Sequence, residues 1–83
     1  MKTPLPPDPE DMNGFRSEWA EHALREFTIL TECDRQDALC DLLCDLAHWC
    51  DRNGFQFSDE LRRARMHYNE ETGGQGTQME GSP

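Results

Sequence analysis

Asp34-Arg-Gln-Asp37-Ala-Leu39-Cys40-Asp41-Leu42-Leu43-Cys44-Asp45-Leu46-Ala-His48-Trp49-Cys50-Asp51 reads as one helix with two unlike faces. At 100° per residue, Leu39, Leu42, Leu43, Leu46 and Cys50 gather on one side, and Asp37, Asp41, Asp45 and His48 on the other, beside Cys40 and Cys44. The leucine side predicts a buried stripe. The aspartates recur at i, i+4 and i+8, where like charges repel by roughly 0.2–0.5 kcal/mol per pair. A repelling stripe is tolerated where something outside the helix uses it, so Asp37, Asp41, Asp45, His48 and Trp49 are the candidate partner-binding residues.

Working outward, Asn53-Gly54 closes this helix, since glycine takes the left-handed conformation that ends one. Asp34 is the expected N-cap and Asp37, three residues on, makes a variant capping box. Before it, Phe15, Trp19, Ala23, Phe27 and Leu30 recur at helical spacing, which predicts a first helix from about Gly14 to Thr31 with Asn13 as N-cap. After it, Ser58 followed by Asp59 and Glu60 predicts the start of a third helix that carries Leu61, Ala64 and Tyr68 inward and ends near Gly73-Gly74. The expected fold is all-α, a small three-helix bundle made of a helical hairpin plus one helix. Trp19, Phe27, Leu39, Leu42, Leu43, Leu46, Phe55, Phe57, Leu61 and Tyr68 are its expected core. Residues 1–12 hold four prolines and read as a flexible arm, 13–73 as the domain, and 74–83 as a disordered tail.

Composition narrows the function. The 83 residues carry 17 acids against 8 bases, a formal charge of −9, and the segment 32–54 alone holds six acids and two arginines. Such a field repels phosphate backbones and anionic lipid, so the expected partner is a basic protein, without direct nucleic-acid or membrane binding. Prolines follow Met1-Lys2 where a secretory signal has its apolar run, and no stretch is long enough to span a bilayer, so a cytoplasmic location is expected. In that reducing setting the four cysteines stay thiols. A chain this short buries only about 60% of its unfolded surface, which leaves room for a homodimer.

Two metal sites are conceivable from residue types alone. Cys40, Cys44 and His48, with Cys33 from the loop, offer soft ligands for zinc, although ligands lined along one helix do not readily surround a tetrahedral ion. Asp41 and Asp45, joined by Glu18 and Glu21 from the first helix, offer carboxylates for magnesium. The expectation is no cofactor. No catalytic triad or glycine-rich phosphate loop is present in the sequence, so no catalytic residue is assigned.

The run Asp41 to Gly54, followed by Phe57 and the segment Glu60 to Asn69, resembles the second half of the MazG-like nucleoside triphosphate pyrophosphohydrolases. Glu18-Trp-Ala-Glu21 matches that family's first E-x-x-E pair, while Asp37, Asp41 and Asp45 are spaced by four where the second pair is spaced by three. That resemblance implies magnesium-dependent hydrolysis, or a degenerate relative. Ala38 to Tyr68 also resembles small uncharacterised proteins of phages, plasmids and integrated elements, through Asp41-Leu-Leu-Cys-Asp45-Leu-Ala-His48-Trp49-Cys-Asp51-Arg-Asn53-Gly54 and Ala64-Arg-Met-His67-Tyr68. This second resemblance implies a mobile-element setting, in which small acidic proteins occupy basic surfaces of host proteins, including the nucleic-acid grooves of defence complexes. The combined expectation is a non-enzymatic binding protein, with the hydrolase as the alternative.

Overall fold

The computed structural model describes residues 4–73, and the expected tail over 74–83 lies outside them. Three helices follow in order: α1 Asn13–Thr31, α2 Arg35–Asn53 and α3 Phe57–Glu71. The chain is all-α, with α1 against α2 and α2 against α3.

The helices start and stop for identifiable reasons. Asn13 is inside α1 and does not cap it. The capping group is the Asp8 carboxylate, whose Oδ1 accepts hydrogen bonds from the Met12 and Asn13 amides at 3.1 and 3.2 Å. Asp34 does hold the N-cap position of α2, in extended backbone, but its side chain makes no capping bond, so the expected capping box is absent. Ser58 is likewise inside α3, which begins one residue earlier with Gln56 at its N-cap position. The Gln56 carbonyl accepts the amides of Asp59 and Glu60 at 3.0 and 3.1 Å, and this fixes the first turn before Ser58 can act as a cap.

The end of α2 follows the sequence expectation. Gly54 takes φ +78°, and the Phe55 amide donates to the Cys50 carbonyl at 3.1 Å. That six-to-one bond is the Schellman closure, and the apolar contact that accompanies it is here the Trp49 and Phe55 rings, with centroids 5.3 Å apart. Glu32 closes α1 in the same left-handed region at φ +57°, with its amide 2.7 Å from the Thr28 carbonyl.

The expected core is the main correction. Among the described residues only Ala38 and Cys50 are buried, and no large side chain is fully enclosed. Phe27, Leu42 and Phe57 are half-buried. Trp19, Leu39, Leu43, Leu46, Phe55, Leu61 and Tyr68, all assigned to the core by spacing, keep between 40% and 60% of their surface exposed. The reason lies in how the helices meet. The first turns of α2 lie on the second half of α1, where Arg35, Ala38 and Leu39 face Leu24, Arg25 and Thr28 around a shallow depression. α3 departs at the far end of α2 and returns to α1 at its other end, where Asn13 Nδ2 donates to the Glu71 carbonyl at 2.9 Å. The helices therefore join near their ends as an open frame. Its radius of gyration is 15.0 Å, against about 11–12 Å for a compact chain of this size.

The segment ahead of α1 belongs to this last joint. Glu10 accepts a hydrogen bond from Arg16 at 2.9 Å, and Pro7 and Pro9 lie beside Gly73 just past α3.

Candidate functional site

The acidic face of α2 is a surface. Asp37, Asp41, Asp45 and His48 are all exposed, and Trp49 keeps 51% of its surface exposed with its ring tilted against that of Phe55. At 1.5 Å rise per residue, the three aspartates climb the helix in steps of about 6 Å. The sequence placed them on the side away from the leucines. The structure keeps Asp37, Asp41, Asp45 and His48 exposed, and the buried positions of α2 are Ala38 and Cys50.

Charge pairing elsewhere sharpens the contrast. Arg16 pairs with Glu10 and Glu71, Arg25 and Arg35 with Glu21, Arg62 with Asp59, and Arg63 with Glu60. Five of the seven arginines are thus engaged by acids outside the stripe. Among the described residues none of Asp37, Asp41 or Asp45 enters an ion pair. The stripe keeps its charge for solvent or for a partner.

The candidate magnesium ligands do not converge. Glu18 is exposed on α1, and Glu21 is occupied by Arg35, which donates to both of its carboxylate oxygens at 2.7 and 2.8 Å. The hydrogen bond from Arg35 holds the Glu21 carboxyl below the usual carboxylate range, against an opposing desolvation effect, and raises the Arg35 guanidinium in turn. Asp41 and Asp45 sit on the open side of α2.

The zinc candidates fare similarly. Cys40 and Cys44 are exposed free thiols with His48 a turn further along, whereas Cys33 is half-buried in the loop beside α1, its sulfur 3.2 Å from the Thr31 hydroxyl. Among the described residues no three His, Cys, Asp or Glu side chains form a set that could hold a metal ion.

Spacing alone did not reveal Arg16. It donates to Glu10 and to Asn13 Oδ1, the latter at 2.6 Å, and approaches Glu71 at 3.5 Å, so one side chain ties the leading segment, α1 and α3 together. The Glu10 hydrogen bond, chief among these, raises its already high pKa. Its partners lie on three segments, so helical periodicity carried no sign of them. Among the described residues no helix is long and apolar enough to cross a membrane.

Comparison with protein-family models, with curated proteins and with solved structures finds no match to this chain. The functional reading therefore rests on the side chains themselves.

Proposed function

We propose that this chain is a non-enzymatic binding protein that docks a basic surface of another protein through the acidic face of α2, with Asp37, Asp41 and Asp45 as the charged ladder and His48 and Trp49 at its edge. The observation that carries this reading is the uncompensated stripe: three exposed aspartates that form no ion pair among the described residues, in a chain whose arginines are mostly engaged elsewhere. Charges left unpaired on an open face steer a basic partner and set the register of docking. With the mobile-element resemblance added, the proposed role is regulatory or inhibitory, exerted on a macromolecule of the host or of the element, of which the nucleic-acid groove of a defence complex is one example of a basic surface. The hydrolase alternative draws less support, since Glu21, its best-matched acid, is already held by Arg35.

The test is capture from a host lysate with the wild-type chain and with the Asp37→Asn, Asp41→Asn, Asp45→Asn triple variant, followed by association kinetics on what is captured. Capture should be lost or strongly weakened in the variant, and the wild-type association rate should fall steeply with salt. Binding of unchanged strength and unchanged salt slope in the variant would show the stripe to be only a solvated face.

A further inference from the structure

We propose that Cys40 and Cys44 form a two-coordinate seat for a soft monovalent cation of the copper(I) type, a site that holds or fails without reference to any docked protein. The fold sorts the four thiols of the chain. Cys50 is buried at 6% exposure, and Cys33 is half-buried in the loop after α1, its sulfur 3.2 Å from the Thr31 hydroxyl. Cys40 and Cys44 are the two exposed thiols, and they stand one turn apart on α2.

The spacing decides what such a pair does. On a helix the Cβ atoms of residues i and i+4 are roughly 5–6 Å apart, whereas a disulfide draws them to about 3.5–4.5 Å. A direct sulfur–sulfur bond would distort α2, but one atom between the sulfurs would not. Two metal–sulfur bonds of about 2.3 Å laid in a line span about 4.6 Å, so rotation about the two Cα–Cβ bonds closes the thiols on an ion with the backbone unmoved. A tetrahedral ion needs further ligands, and among the described residues no third His, Cys, Asp or Glu completes a set for one. The pair is therefore matched to a cation satisfied by two thiolates, and soft sulfur ligands select copper(I).

The surroundings favour a cation over an anionic thiol reagent. Positions 36–48 contain no arginine or lysine, and Asp37, Asp41 and Asp45 all lie within four residues of one thiol or the other. Arg35, the nearest base in sequence, is turned to Glu21. These acids draw a positive ion towards the pair. On binding, each thiol releases its proton to solvent and its sulfur donates a lone pair to the ion, so two protons leave and no electron is transferred.

The experiment is an oxygen-free titration of the reduced full chain against copper(I) held by a chromophoric chelator, with proton release followed in weak buffer. One copper should move to each chain, with two protons released. Cys40→Ser and Cys44→Ser should each weaken the binding about a hundredfold or more, because the second thiolate acts at high effective concentration once the first has bound. Cys33→Ser and His48→Ala should leave it unchanged, and zinc in about tenfold excess should not displace the copper. Copper that stays with the chelator overturns the proposal, as does binding that both Cys40→Ser and Cys44→Ser leave at full strength or that Cys33→Ser weakens equally. Displacement by zinc, or a loss in His48→Ala, overturns the two-coordinate assignment. Should either serine variant fail to fold, alkylation of the wild type decides: copper(I) should shield Cys40 and Cys44 and leave the reaction of Cys33 as it was, and shielding of all three alike overturns the pair.

Discussion

Arg35, the first residue of α2, grips Glu21 in the middle of α1 with two parallel hydrogen bonds, Nη1 to Oε2 at 2.7 Å and Nη2 to Oε1 at 2.8 Å. The planar guanidinium matches both carboxylate oxygens at once, which a lysine cannot do. The pair sets where α2 crosses α1, beside Ala38, the most deeply buried residue described.

Its pH dependence follows from the lowered Glu21 pKa. A carboxyl whose folded pKa is depressed stabilises the fold above its unfolded value of about 4.3 and loses that contribution as the pH falls through the lower folded value. Wild type should therefore be more stable than Glu21→Gln at pH 7, and the gap should close below about pH 4. Urea midpoints of both proteins at the two pH values check this, and a gap that persists in acid would show that the pair contributes nothing through its charge.

Removing the stripe's charges should relieve repulsion within α2. The triple variant at Asp37, Asp41 and Asp45 should be as stable as wild type or more stable, by up to about 1 kcal/mol, because each i, i+4 like-charge pair costs a few tenths. Urea denaturation measures it, and a loss of stability would mean that these carboxylates support the fold.

The two left-handed helix ends make opposite predictions. Gly54→Ala places a side chain at φ +78°, where its Cβ meets no neighbour, so the cost is backbone strain alone, about 1 kcal/mol. Glu32→Gly relieves the same kind of strain at φ +57° and should stabilise by a comparable amount. Thermal melting of the pair is the check.

Magnesium should not raise the melting temperature of this chain. A binding ion would stabilise by about RT ln(1 + [L]/Kd), so a rise specific to Mg²⁺ or Mn²⁺ that disappears in Asp41→Asn would favour the hydrolase reading and displace the one proposed above.

Helical spacing located all three helices, and Asn53-Gly54 marked the end of α2, because periodicity and left-handed closure are local properties of the chain. The caps at Asn13 and Ser58 were misplaced, since the capping carboxylate of α1 comes from Asp8, further upstream than an N-cap side chain would sit. The core was misread for a different reason. The pattern says which face of a helix is apolar and is silent on whether another element covers it, so Leu39, Leu43 and Leu46 formed a stripe in either case. The exposure of Asp37, Asp41 and Asp45 was legible from the same pattern. Their lack of arginine partners was not, because it depends on where Arg16 and Arg35 reach in three dimensions.

The Asn13 to Glu71 hydrogen bond joins groups 58 residues apart. During synthesis α1 can coil as soon as it leaves the ribosome, and α2 can settle on it once Arg35 and Ala38 emerge, but the third corner has no partner until nearly the whole described chain is out. Nascent chains halted before Glu71 should therefore carry helices without a closed frame, because the contacts of Asn13 and Arg16 with Glu71 cannot yet form.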